Sequence, residues 1–240
     1  NLEAALRSEQ MKVDLISNVS HDLKTPLTSM VGYIELIKKE ELSDVLSDYV
    51  EVLSVKAQKL KEMIDSLFDL AKTSSGNVEL KMEPMELNRL IEQVQADMSD
   101  KIAQSEREIV VMLTEESTNF ISDSSYMYRI FQNLIENALK YSQENTRIFL
   151  KSFVVQKEGE FGESREKVRF EITNTSGYPM NFTKKQITER FVRGDESRTT
   201  EGNGLGLAIV NTYTTALGGV FDVVIDCDQF KASLEFWRQE

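Results

Sequence analysis

Cysteine is nearly absent from this chain of 240 residues. Cys227 stands alone, which excludes an internal disulfide and any zinc cluster built from cysteines. Histidine is equally scarce, with His21 the single example. No apolar run approaches the 18 or more residues of a membrane span, and the opening residues lack the pattern of a signal peptide. Positive charge is in deficit: 28 Lys and Arg face 40 Asp and Glu, a formal charge of −12. Such a field repels DNA, RNA and anionic lipid headgroups and argues against nucleic acid as a partner. What remains is ordinary for a folded soluble chain, 40% hydrophobic and 28% charged, long enough for one large domain or two modest ones.

The eleven glycines are unevenly spread and divide the chain. Residues 1–75 hold one glycine, Gly32, and one proline, Pro26, which is helix composition. Ile16, Val19, Leu23, Leu27, Met30, Ile34 and Ile37 recur every three or four residues, as in the seam of a bundle. A polar break at 38–44 follows, where Ser43 or Asp44 suits a helix cap. A second stripe then runs through Tyr49, Leu53, Leu60, Met63, Leu67 and Leu70, with Lys56 its polar intruder. Two such helices form an antiparallel hairpin, half of a four-helix core, so a homodimer is expected. Thr73-Ser74-Ser75-Gly76-Asn77 reads as a linker, placing one domain at 1–75 and another at 76–240.

The second region mixes periods. Amphipathic helices are expected over 86–99 and 126–141, and a final one over 205–217. Strands are expected at 109–113, 147–155, 168–173, 220–226 and 231–237, with Gly218-Gly219 as a turn. This is an α+β two-layer sandwich, helices against a mixed or antiparallel sheet. Residues 192–204 have the glycine-rich polar composition of a loop.

His21 lies in Ser20-His21-Asp22-Leu23-Lys24-Thr25-Pro26-Leu27. At 100° per residue it sits about 160° from Leu23 and about 120° from Leu27, away from the seam, on the face that carries Lys24 and Thr25. An imidazole there is reachable by a bulky second reactant, is mostly neutral at pH 7, and can act as a nucleophile beside a carboxylate. A solvated surface histidine is the plainer alternative. Pro26 weighs against it, because a proline inside a helix costs about 3 kcal/mol and releases the carbonyl of Asp22.

This octapeptide resembles the H-box of the sensor histidine kinases of two-component systems. The resemblance implies that His21 is the phosphoacceptor, Asp22 its proton acceptor, and Thr25 the residue that positions water in a phosphatase reaction. Further on, Asn133-Leu-Ile-Glu-Asn137-Ala-Leu-Lys140-Tyr141-Ser142 sets two carboxamides at i and i+4, able to ligate magnesium, with an ammonium for phosphate close by. The string resembles the N-box of the ATP-binding domain shared by histidine kinases, gyrase, Hsp90 chaperones and MutL. It implies Asn137 as magnesium ligand, Asn133 and Lys140 as phosphate-side contacts, and Tyr141 as a lining residue.

Gly202-Asn203-Gly204-Leu205-Gly206-Leu207 opens the last helix, and its glycines let backbone amides approach phosphate. It resembles the second glycine box of the same family. Arg193 and Arg198, in a stretch similar to the ATP lid, face the γ-phosphate in that reading. One box departs from the pattern: in Asn174-Thr175-Ser176-Gly177-Tyr178-Pro179, Asn174 holds the place of the adenine-binding aspartate, and Ser176 and Tyr178 replace glycines. A carboxamide oxygen still accepts a hydrogen bond from adenine, without a carboxylate's charge.

The resemblance therefore implies a Bergerat-type ATP-binding fold behind a dimerisation hairpin. It implies a protein-histidine kinase that uses ATP and Mg2+ and passes the phosphoryl group to an aspartate of a response regulator. It also implies the cytoplasmic region of a cell-membrane receptor, whose sensor and membrane segments lie upstream. Two alternatives stand beside it: a degenerate kinase acting as dimeric scaffold or phosphatase, motivated by Asn174, and an ATPase of the gyrase or chaperone kind.

Overall fold

The computed structural model describes residues 23–40, 42–74, 79–158, 164–180 and 205–239. The chain divides into two compact units, Asn1–Val78 and Glu79–Glu240.

In the first unit, helix α1 covers residues 23–37 and helix α2 covers Asp44–Ser74. Ser43 takes the cap position, its carbonyl accepting the amide of Ser47 at 2.9 Å, and Asp44 puts negative charge on the first turn. Lys24 pairs with Asp65 at 2.6 Å, and Lys38 with Glu51 at 2.9 Å. The partner's number falls as the first rises, so the helices run antiparallel. Leu27, Ala57, Ile64, Leu70 and Ala71 are buried. Much of the expected seam is not: Leu23, Met30, Ile37, Tyr49, Leu53 and Leu60 are exposed. One hairpin has only two helices and covers one side of each stripe. The expected linker begins later than the composition suggests, because α2 continues through a buried Thr73 to Ser74.

The second unit is a sheet with helices on one face. Its elements are β1 (Glu83–Glu86), α3 (Leu87–Asp97), α4 (Ser99–Gln104), β2 (Glu108–Met112), β3 (Asn119–Ser122), α5 (Ser124–Tyr141), β4 (Arg147–Glu158), β5 (Ser164–Thr175), α6 (Gly206–Ala216), β6 (Val220–Asp226) and β7 (Gln229–Trp237). The five-stranded sheet has the order β2-β4-β5-β7-β6, and β1 pairs with β3 in a separate two-stranded ribbon. β2 and β4 are parallel and the other pairs antiparallel, so the sheet is mixed.

Alternation sorts the side chains. Val168, Phe170 and Ile172 of β5 point inward beside Leu234 and Ala232 of β7 and Leu150 of β4, all buried. They meet Ile130, Phe131 and Leu134 of α5, with the Phe131 and Phe170 rings 4.5 Å apart. Each such side chain contributes about 1.5–3 kcal/mol by leaving water. This core fixes α5 across the sheet.

Asp123 starts α5, accepting the amides of Ser125 at 3.0 Å and Tyr126 at 3.2 Å, while its other oxygen accepts the amide of Lys81 at 2.8 Å. Gly218, at φ +76°, makes the turn into β6. At Gly219 a β-carbon would stand 2.4 Å from the Phe236 ring, so only glycine lets the chain pass.

Candidate active site

The inward face of α5 is apolar, which turns Asn133, Asn137 and Tyr141 to one half-buried edge, each four residues from the next. Asn133 donates its Nδ2 hydrogen to the carbonyl of Arg129 at 2.8 Å, which orients its carboxamide. α6 runs antiparallel to α5 at this edge. The Tyr213 ring meets that of Tyr126 edge-on at 4.8 Å, and its hydroxyl accepts from Arg129 at 3.5 Å.

Seven residues back along α6, Gly206 reaches the two asparagines. A β-carbon on Gly206 would lie 3.2 Å from Nδ2 of Asn137 and 3.3 Å from Oδ1 of Asn133. The N-terminus of α6 therefore abuts both carboxamides. Leu205, at its cap position, is buried and supplies no side-chain cap, which leaves first-turn amides for another acceptor. Leu207 is half-buried beside it.

At the other end of the stripe, Lys140 donates to the Tyr141 hydroxyl at 3.0 Å, with its ammonium 4.6 Å from the ring centre. The segment after β5 is tied to the same place. Gln143 donates its amide to the carbonyl of Thr175 at 2.8 Å, Gly177 donates to that of Tyr141 at 3.0 Å, and Ser142 bridges Ser176. Ser176 Oγ accepts the amide of Tyr178 and donates to its carbonyl, and the Tyr178 ring stands edge-on to Tyr141 at 5.9 Å. Asn174 is buried in the inward row of β5, two residues beyond Ile172 and two before Ser176.

Asn133, Asn137, Lys140, Tyr141, Leu205, Gly206 and Leu207 thus share one edge of the second unit, with Asn174 at the strand end tied to it. Tyr178 joins them, and its only signal in the sequence is that it stands where a glycine is expected. Thr25 is exposed on α1, in the other unit. His21, Asp22, Arg193, Arg198, Gly202 and Gly204 lie outside the described residues. Among the described residues no cluster of His, Cys, Asp and Glu suits a metal ion, and no helix is long and apolar enough to cross a membrane.

A helix hairpin followed by a mixed sheet with one helical layer, its glycine at a helix start set against paired asparagines, defines a class: helical hairpin plus ATPase-type sandwich. Comparison with known proteins agrees. Residues 11–76 match the His Kinase A (phospho-acceptor) domain, and residues 122–236 match the histidine kinase-, DNA gyrase B-, and HSP90-like ATPase family. The sensor protein VanSC of Enterococcus gallinarum is 31% identical over 90% of this chain and 58% of its own length. VanS of Enterococcus faecium is 29% identical over 88% of this chain and 53% of that protein. The chain thus spans little more than half the length of these two relatives. Full-length ShkA in complex with AMPPNP has the same fold, with a TM-score of 0.79 at 24% identity over 95% of this chain and 46% of that one. The Acinetobacter baumannii histidine kinase AdeS superposes at 0.62, with 20% identity over 92% of this chain and 98% of its own. The chain belongs to the sensor histidine kinases of two-component systems.

Proposed function

We propose that this chain is the kinase region of a sensor that phosphorylates its own His21 from ATP and hands the phosphoryl group to an aspartate of a response regulator. The observation that carries the reading is the approach of Gly206 to Asn133 and Asn137. It sets uncapped helix amides beside two carboxamide oxygens, suited to a phosphate chain. From Asn133 to Tyr141 is eight residues of helix, about 12 Å, comparable to the reach of a nucleoside triphosphate from its phosphates to its base. The phosphates belong at the Gly206 end and the adenine at the Tyr141 end, where Asn174 accepts from its amino group; Lys140, held at the Tyr141 hydroxyl, would swing away from it to meet a phosphate oxygen. The donor set fits magnesium: Asn137 would hold the ion through a hard carboxamide oxygen while the triphosphate supplies the charge, and the ion would neutralise phosphate oxygens. Arg193, with Arg198, and the amides of Gly202, Gly204 and Leu207 complete the phosphate contacts.

A neutral His21 nitrogen attacks the γ-phosphorus in line as the bond to the ADP oxygen breaks, and Asp22 receives the ring proton. Thr25, one helical turn on, positions water for hydrolysis of the regulator's phosphoaspartate to aspartate and inorganic phosphate. The exposed stripe Leu23, Met30, Tyr49, Leu53 and Leu60 supports a homodimer in which a second hairpin completes a four-helix bundle. The two domains divide at the Ser/Gly segment near residue 75, and the kinase region works at the cytoplasmic side of a membrane receptor.

The test is incubation of the chain and His21→Gln with magnesium and γ-labelled ATP. Label that survives alkali, is lost in acid and vanishes in the variant is expected. A folded dimer that takes no label sinks the kinase reading in favour of a scaffold or phosphatase.

A further inference from the structure

Recognition of the base turns on one side chain. Asn174 is the only buried carboxamide among the described residues, 3% exposed on the inward row of β5. The pairing of β4 with β5 stops at Thr173, one residue short of it. Just beyond it the strand is tied to the end of α5, where Gln143 donates its amide to the carbonyl of Thr175 and Ser142 bridges Ser176. Asn174 therefore belongs to the terminus of α5 that carries Tyr141.

Other carboxamides of this unit are held in one orientation. Asn88 donates from Nδ2 to the carbonyl of Thr114 at 3.0 Å and accepts the hydroxyl of Ser152 at Oδ1, at 2.7 Å. Asn133 donates to the carbonyl of Arg129, and Gln229 to the hydroxyl of Thr175 at 2.8 Å. Among the described residues the carboxamide of Asn174 has no hydrogen-bond partner. Nothing there decides which of its two ends leads. Leaving a buried amide unpaired costs free energy, a cost removed when a ligand supplies the partner.

A carboxamide carries a donor as well as an acceptor, and half a turn about χ2 exchanges them. With Oδ1 leading it accepts from the 6-amino group of adenine. With Nδ2 leading it donates to the 6-oxo group of guanine. The neighbours do not break the tie. The rings of Tyr141 and Tyr178 stack on any base through its π-face, and the Tyr141 hydroxyl is engaged by Lys140.

We propose that the site takes guanine nucleotides as well as adenine nucleotides, with Asn174 turning over to suit the base. The inference rests on the nucleotide site described under the proposed function and widens its substrate from ATP to GTP. A carboxylate in the same place, an acceptor only, would pair with the adenine amino group and meet the guanine oxygen lone pair to lone pair.

Titration calorimetry of the full chain with the magnesium complexes of ATP and GTP is expected to give affinities within about tenfold of each other. Asn174→Asp, measured above neutral pH where the new carboxyl is ionised, should favour ATP by at least about thirtyfold. Circular dichroism checks that this variant is folded. If the buried charge unfolds it, Asn174→Leu gives the second reading: it removes both hydrogen bonds, so ATP and GTP weaken by a similar factor and their ratio stays near parity. GTP bound about a hundredfold or more weaker than ATP by the parent chain overturns the proposal and leaves the ATP site standing. A ratio unchanged in folded Asn174→Asp, or one nucleotide alone weakened in Asn174→Leu, also overturns it, because the base is then read elsewhere. Binding of neither nucleotide overturns this inference and the nucleotide site together.

Discussion

At the scale of single residues, two glycines separate binding from stability. Gly206 faces the carboxamides of Asn133 and Asn137 at distances a β-carbon can only meet if they yield. In Gly206→Ala the helix gains about 0.5–1 kcal/mol of propensity while the carboxamides are pushed from their place. Titration calorimetry should show nucleotide affinity falling several-fold, with a melting temperature unchanged or raised. Gly219 is the opposite case. Its missing β-carbon makes room for the Phe236 ring, a core side chain, at a spot remote from the asparagines. Gly219→Ala should cost about 1–3 kcal/mol through overpacking, read as a lowered urea midpoint, with nucleotide affinity of the folded fraction preserved. Asn133, Asn137 and Gly206 are legible in the sequence as motifs. That a residue some seventy positions later touches the first two is not, since spacing along the chain says nothing of helix α6 lying antiparallel to α5. Tyr178 was visible only as a misfit, and its ring contact needs the turn that Ser176 holds.

Among elements, α5 depends on one side chain. Asp123 caps it and also accepts the amide of Lys81, so Asp123→Ala removes partners from three amides at a buried position. A loss of about 1–3 kcal/mol is expected, measurable by chemical denaturation. In the hairpin, a hydrogen bond from Lys38 to Glu51 raises the lysine's pKa above its ordinary 10.5, with the charges of Glu51 and Glu35 adding to it. The folded state thus holds this proton more tightly than the unfolded one. Its contribution is complete at neutral pH and is lost as pH rises through the raised value. Thermal melts between neutral pH and about pH 11 should show a smaller alkaline loss in Lys38→Met than in the parent.

Long periodic elements were legible: α5 and β6 fall where their patterns put them. β1 and β3 were not, being four residues each, with Pro84 in β1 arguing against a strand. α4 is six residues, shorter than any window in which a period shows itself. Of the hairpin's expected stripes, Ile16 and Val19 lie outside the described residues, and which of the others one hairpin buries by itself depends on helix rotation, a property of packing.

For the whole molecule, the two units should respond differently to ligand. Magnesium and ATP at about one hundred times the dissociation constant stabilise the unit that binds them by about 2.7 kcal/mol. Differential scanning calorimetry is therefore expected to show the transition of Glu79–Glu240 moving upward while that of the hairpin stays. Sedimentation should find a dimer, converted to monomer by Leu53→Glu with Leu60→Glu, and this change should leave the ATP-dependent shift in place.

The order of strands in the large sheet also sets how the chain acquires its structure in time. β4 with β5, and β6 with β7, are neighbours in sequence and can zip locally. β2 can join β4 only after β3 and the whole of α5 have crossed over, and β5 meets β7 across more than fifty residues. Closing such loops costs entropy before any contact repays it. The hairpin, whose contacts are local, is complete early, and the sandwich follows. On a ribosome, α2 has been made before β7, the last strand of the sheet, so the helices of the first unit wait for the second unit to close its sheet.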